Sequence, residues 1–160
     1  METNLNETAY PHATIKDSLE QGRIYQDFVC IELAKAQKLN LQNMTSRKYQ
    51  TEVGENLQGV EIKLDNRCLE TKQLSIEIAE KSNRDYQHWI PSGIMRDDNS
   101  FLYIQGNFKT FWLFSKRDLK LIHSKNRFEI RDFNGTLQSY FLPLKMADHF
   151  ALYKWSKPTA

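Results

Sequence analysis

Cysteine is scarce in this chain. The two present, Cys30 and Cys68, are far apart and lack metal-ligand spacing, which excludes a disulfide framework and reads as free thiols in a reducing compartment. Histidine is equally sparse: His12, His123 and His149 form neither a triad nor a zinc pattern, and His88 stands alone after an acidic segment. No apolar run reaches the length of a membrane span, and the opening METNLNETAY lacks the basic and apolar blocks of a signal peptide, so a cytoplasmic protein with no membrane association is expected. Charge of neither sign dominates. At a formal net charge of +2, any nucleic-acid surface must come from local clustering of the 22 Lys+Arg. There is no phosphate-binding loop, dinucleotide fingerprint or nucleophile elbow, no internal repeat, and no linker that would split the chain.

What remains is one domain of 160 residues, long enough for a real core, behind a loose polar arm over 1–13. From Thr14 the pattern is helical to about Lys38–Asn40. Thr14 or Asp17 serves as cap, Asp17 and Glu20 have capping-box spacing, and the packed face is expected to hold Leu19, Ile24, Phe28 and Ile31. Cys30 falls on this helix as a buried residue, and Gly22 inside it marks a close approach or a break. Lys48–Val53 alternates and predicts a strand. Two further alternating runs follow, near 59–65 and 74–81, so the order begins helix, strand, strand, strand. YQHWIPSG reads as loop. Phe101–Gln105 and Thr110–Phe114 predict a hairpin whose second strand is buried on both faces. SKRDLKLIHS is a short helix capped by Ser115. Strands at 128–133 and 136–142 meet at Asn134-Gly135, and a helix over Lys145–Trp155, with Met146, Phe150 and Tyr153 in register, closes the chain. The class is α+β: an N-terminal helix, a mostly antiparallel mixed sheet of six or seven strands, and short helices.

The chain is organised around GVEIKLDNRCLETKQLSIEIAEK, residues 59–81. In its first run Glu61, Lys63 and Asp65 share a face; in its second Ser75, Glu77, Ala79 and Lys81 do. Paired as a hairpin, the runs set Lys63 opposite Glu77, or, two residues shifted, Asp65 opposite Glu77 and Glu61 opposite Lys81. Carboxylates on neighbouring strands lie about 5 Å apart and repel. Either the lysines neutralise them as solvated cross-strand ion pairs, or a divalent cation does. Mg²⁺ needs only one or two protein carboxylates and completes its shell with water and phosphate oxygens. Such an ion activates water and offsets charge on a phosphodiester, and a lysine beside it stabilises the transition state.

These residues resemble the PD-(D/E)XK, or restriction-endonuclease-like, nuclease superfamily, and are similar in texture to its small phage-encoded or mobile-element members. The resemblance covers roughly residues 15–115. It implies a helix followed by a three-strand meander, with Asp65 and Glu77 as metal ligands. The family lysine belongs at Ala79. Lys63 on the facing strand, or Lys81 further along, would replace it, as lysines migrate elsewhere in the superfamily. Taking Glu61-Ile62-Lys63 as the motif itself demands an upstream Asp that is missing between Asp27 and Glu61. Glu55, in a turn, reads as surface. An acid of the first helix, Asp27 or Glu32, is a further candidate. The resemblance thus implies a Mg²⁺-dependent (or Mn²⁺-dependent) DNA endonuclease with catalytic Asp65, Glu77, Lys63 and Glu61. Its substrate would be duplex, branched or nicked DNA, and two copies could join through the aromatic strands as a homodimer.

For contact with DNA the basic candidates are Lys81, Arg84, Arg67, Lys116, Arg117 and Lys120, with Arg47, Lys48, Arg96, Lys125, Arg127 and Arg131 nearby in the pattern. Trp89, Trp112 and Trp155 read as core rather than base-stacking platforms, with exposure the alternative for Trp89, which stands beside Pro91 in a loop. Two rivals stand beside the nuclease. One is a catalytically inactive nucleic-acid-binding module of the same fold, which Ala79 favours; the other is a protein-interaction factor whose acidic face meets a basic partner.

Overall fold

The computed structural model describes residues 15–44, 46–125 and 128–159. The expected arm over 1–13, the Thr14 cap and Arg127 lie outside the described residues. The elements are α1 (Ile15–Gln37), α2 (Arg47–Glu52), β1 (Val60–Leu64), α3 (Cys68–Thr71), β2 (Gln73–Glu80), β3 (Ile90–Pro91), a 3₁₀ turn (Gly93–Met95), β4 (Leu102–Gly106), β5 (Thr110–Ser115), α4 (Lys116–Lys125), β6 (Ile130–Phe133), β7 (Leu137–Pro143), α5 (Leu144–Phe150) and β8 (Tyr153–Ser156). The protein is α+β. Its strands form two four-stranded sheets, ordered β1-β4-β5-β8 and β3-β2-β7-β6. Among these pairs β1 with β4 is parallel and the others are antiparallel.

Two apolar clusters hold the sheets. Tyr25, Val29 and Leu33 of α1 pack on Val60, Ile62, Ile104, Phe111 and Trp155 from one face of the first sheet. The other face gives Tyr103, Trp112 and Phe114 to a core shared with Leu74, Ile76, Tyr140, Leu142, Ile94 and Leu119. Each such buried aliphatic or aromatic side chain is worth roughly 1.5–3 kcal/mol over exposure. Strand β5 feeds both clusters, so its apolar run is buried on both faces as its composition predicts. Its aromatic rings Phe111, Trp112 and Phe114 are interior. The β4–β5 and β6–β7 hairpins form as read, the latter through Asn134 and Gly135 at φ 55° and 71°. The Asp118 N–H donates to Ser115 Oγ at the start of α4.

The structure corrects several local readings. Helix α1 spans the expected range but turns another face inward: Leu19, Ile24 and Ile31 are 66%, 48% and 52% exposed. Phe28 borders both possible stripes, and its rings' contacts with Trp155 and Phe108 select the one through Tyr25 and Val29. Residues 47–52 are helix, not strand. Tyr49 and Val53 are two alternations apart but equally one helical turn apart, and the Val53 N–H closes that turn on the Tyr49 carbonyl. The runs at 60–64 and 73–80 are not a hairpin. The segment between them forms α3 around buried Cys68 and carries the chain into the second sheet, leaving β1 to pair with β4. The closing helix stops at Phe150, and Tyr153–Ser156 returns as β8, which stacks Trp155 on Phe111 with ring centroids 5.2 Å apart. Cys30 is only half-buried, and Trp89 is half-buried with Lys81 Nζ 4.5 Å from its ring.

Gly22 neither breaks α1 nor abuts anything, for no heavy atom lies within 4 Å of where its Cβ would stand. A methyl there meets open space and removes the entropy cost of a mid-helix glycine. Gly22→Ala should therefore raise stability by about 1 kcal/mol, or about 2–4 °C in a thermal melt. A lower melting temperature would show that α1 is not continuous through this position.

Candidate active-site cleft

The parallel pairing of β1 and β4 sets Glu61 beside Tyr103 and Lys63 beside Gln105, all on one face. On β2, the ladder to β7 sets Ser75 opposite Phe141 and Glu77 opposite Ser139. These two faces, with Asp65 just after β1, line a cleft of about 360 Å³. Lys63, Asp65 and Glu77 therefore share one concave site although their strands belong to different sheets.

Lys63 is its electrostatic centre. Its Nζ lies 3.3 Å from Glu61, 3.7 Å from Glu55 and 3.9 Å from Glu77. Burial pulls the ammonium toward its neutral form, but the three carboxylates more than offset this and hold it above the ordinary lysine range. Glu55 was expected on the surface. Its carboxylate instead accepts from the Ile62 N–H at 2.8 Å and from Gln26 Nε2 on α1 at 3.4 Å. Burial raises it above the usual carboxylate range against the pull of Lys63.

Asp65 is held by the chain around it. It accepts from the Ser75 N–H at 2.9 Å, the Arg67 N–H at 3.3 Å and Gln105 Nε2 at 3.3 Å. Gln105 also donates to the Ser75 carbonyl at 2.6 Å, which ties β4 to β2 directly beneath the carboxylate. Burial lifts Asp65 above its usual range, and these hydrogen bonds work against the rise. Glu77 is fixed from behind: the Ser92 hydroxyl donates to its Oε1, leaving Oε2 toward Lys63.

The alternation expected to carry Ala79 and Lys81 on the Glu77 face breaks. The ladder slips one residue between Glu77 and Ala79, so Glu77 opposes Ser139 and Ala79 opposes Gln138, which point to opposite sides. Ala79, where the resemblance expects a lysine, is thus turned away, and the ammonium that lines the cleft is that of Lys63. Lys81 donates to the Arg84 and Tyr86 carbonyls and lies outside the cleft.

Lys116 was expected on the basic surface, yet its side chain is only 4% exposed. Its Nζ donates to Asp98 at 3.1 Å, the Arg96 carbonyl at 3.0 Å and Ser100 at 2.6 Å, and lies 3.7 Å from Glu61 Oε2. It is the support behind Glu61. Arg67, Arg84, Arg117 and Lys120 are exposed. Arg67 lines the cleft, whereas Arg117 and Lys120 border a separate depression with Phe101.

The residues that sequence reasoning missed are Glu55, Tyr103, Gln105 and Ser92. Tyr103 and Gln105 are two residues apart on a strand and so share a face, but nothing in the sequence shows β4 lying beside β1. Glu61 Oε2, the Tyr103 hydroxyl and Gln105 Oε1 are buried with no hydrogen-bond partner. Burial pushes Tyr103 well above its usual range, with Glu61, Glu77 and Glu55 adding to the rise. Among the described residues no three carboxylate, imidazole or thiol groups converge as a ready-made metal cage. The donor set does suit a hard cation that needs few protein ligands: two carboxylates, Asp65 and Glu77, line the cleft, each with lone pairs to spare. No family model matches the chain, and neither a curated protein nor a solved structure matches it.

Proposed function

We propose that the chain is a Mg²⁺-dependent (or Mn²⁺-dependent) DNA endonuclease of restriction-endonuclease-like type, of the phage or mobile-element kind, acting in the cytoplasm. The observation that carries this is the convergence of Asp65, Glu77 and Lys63, from two separate sheets, on one cleft. Two free thiols accord with a reducing compartment, and no helix among the described residues is long and apolar enough to cross a membrane.

Asp65 and Glu77 would hold the metal. The ion, when bound, would supply water activation and charge neutralisation at the scissile phosphate. The chain's own residues do the rest. Gln105 and the Ser75 and Arg67 amides fix the Asp65 carboxylate, and Ser92 fixes that of Glu77. Lys63 presents a positive charge to the anionic phosphorane, in a site where preorganised charge is worth more than in water. Glu61 and Glu55 hold that ammonium in place, and Lys116 keeps Glu61 from carrying an uncompensated charge.

Supercoiled and branched DNA incubated with Mg²⁺, Mn²⁺ or EDTA tests this. Cleavage should need the metal. It should fall at least 100-fold in Asp65→Ala, Glu77→Ala and Lys63→Ala, each first shown to be folded by thermal melting, since the first two remove the carboxylates that would hold the metal and the third the positive charge facing the phosphate. Intact DNA with a gel shift would assign the inactive binding module instead. Neither cleavage nor a shift would leave a protein-interaction factor.

A further inference from the structure

The far wall of the cleft is built from different material than its floor. Strand β6 pairs with β7 so that Arg131 opposes Ser139 and Phe133 opposes Leu137, while Ser139 in turn opposes Glu77 on β2. Arg131, Ser139 and Glu77 thus form one cross-strand row, and at the usual strand spacing Arg131 stands about 10 Å from Glu77. Phe141, on the same face, lies under Arg131: the guanidinium carbon is 4.4 Å from the ring centroid. Phe133 is tilted against Phe141 at 5.9 Å and is 38% exposed. Arg131, Phe133, Leu137 and Phe141 line the cleft together with Asp65 and Glu77.

We propose that the β6–β7 hairpin is a stacking platform for an unpaired nucleobase, so that the DNA taken is single-stranded, tailed or branched at the cut rather than plain duplex. This rests on the nucleic-acid reading above and narrows it. The floor is acidic, with Asp65 and Glu77 exposed to the cleft beside Lys63, whose charge is already taken up by Glu61 and Glu55 behind it, and it repels a bare phosphate backbone. The wall is apolar and cationic. An uncharged base face suits Phe133 and Phe141, and the adjoining phosphates suit Arg131 and Arg67 at the rim, whose present partners Glu129 and Glu70 are exposed ion pairs of little strength. Size argues the same way. A cleft of about 360 Å³ is at the small-ligand end of the range for pockets and admits one nucleotide drawn out of a helix, not a length of duplex.

Fluorescence anisotropy in EDTA, where no metal-dependent cleavage occurs, gives the test. The wild-type chain should bind a duplex with a single-stranded tail roughly tenfold or more tightly than the same duplex with blunt ends, the scale of stacking one base on an aromatic ring. Phe133→Ala should erase that preference and leave blunt-duplex affinity unchanged, and Phe133→Trp should keep it. Arg131→Gln should weaken tailed DNA more than blunt. Equal affinity for the two DNAs, or a preference that survives Phe133→Ala in a protein with wild-type melting, overturns the platform. The nuclease reading fails separately: a tailed-DNA preference with no cleavage under any metal keeps the platform and removes the enzyme.

Discussion

Lys116→Met should be among the most damaging single substitutions in this protein, costing about 3–5 kcal/mol at neutral pH, the range for stripping one partner from a buried ion pair. For a chain of this size the loss is on the order of 10 °C in melting temperature. Methionine matches the stem of the lysine, so packing is nearly kept and the effect isolates the charge. What is left behind decides the size. Asp98, its side chain 5% exposed, loses its ammonium and keeps only the Ser100 donors. Glu61, at 3% exposure, loses the cation 3.7 Å from an oxygen that has no other partner. The pH dependence follows from Asp98. Burial raises its carboxyl, but Ser100 and Lys116 outweigh that and hold it below the usual range. A group depressed in the folded state contributes stability above its unfolded value of about 3.9, and that contribution is lost as pH falls through the folded value. The gap between wild type and Lys116→Met should therefore be full at pH 7 and narrow below about pH 4. Lys120→Met, on the exposed side of the same helix, should stay within about 0.5 kcal/mol of wild type. A Lys116→Met protein that melts like wild type but binds DNA less tightly would return Lys116 to the basic surface.

That position shows what a sequence conveys and where it stops. Lys116 sits in a run of basic residues at the start of a helix, and nothing in KRDLK separates the one cation that folds inward from Arg117 and Lys120, which stay in water. Local pattern did carry far. Alternation placed β1 and β2, apolar runs either side of a turn placed β4 and β5, the Asn134-Gly135 pair placed the β6–β7 turn, and Ser115 placed the start of α4. The failures came where two periods fit the same residues, as at Tyr49 and Val53, or where one side chain bordered two stripes, as Phe28 does. Pairing was the larger loss. Two alternating runs with a short polar segment between them suggest a hairpin, and only the burial of Cys68 in α3 diverts the second run to another sheet. The group Glu61, Lys63, Asp65 and Glu77 still meets, because the face of β1 that carries Glu61 and Lys63 and the face of β2 that carries Glu77 border the same cleft. Glu55 was illegible for the opposite reason: a carboxylate in a polar turn looks solvated until α1 and β1 close over it through Gln26 and Ile62.

Gly93→Ala should be more costly still for activity, although Gly93 touches no substrate position. The residue has φ +52°, where an added Cβ costs about 1–2 kcal/mol. Space is the greater obstacle. The methyl would stand 2.3 Å from the Glu77 carbonyl oxygen and 2.7 Å from Glu77 Cβ, both too close for any real contact and both on a strand that cannot yield locally. Ser92 next to it donates its N–H to the Ile78 carbonyl and its hydroxyl to Glu77, and Ile94 after it is fully buried. Either the 3₁₀ turn lifts off β2 or β2 moves, and in both cases Glu77 loses its position. Overpacking adds about 1–3 kcal/mol, for a total of about 2–5 kcal/mol. If the cleft cleaves DNA, a displacement of the order of 1 Å at Glu77 lowers the rate about 100-fold in whatever protein remains folded. Gly135→Ala separates strain from clash. Gly135 has φ +71°, but its Cβ would meet only the Arg84 side chain, at 3.2 Å, and that chain can swing into solvent. It should lose about 1–2 kcal/mol and keep full activity. Melting and cleavage measured on both variants decide the matter: equal losses of stability would mean that Gly93 is needed only for its backbone angle, whereas a larger loss in Gly93→Ala, with cleavage lost in that variant alone, identifies it as the glycine that lets the Ser92 clamp reach Glu77.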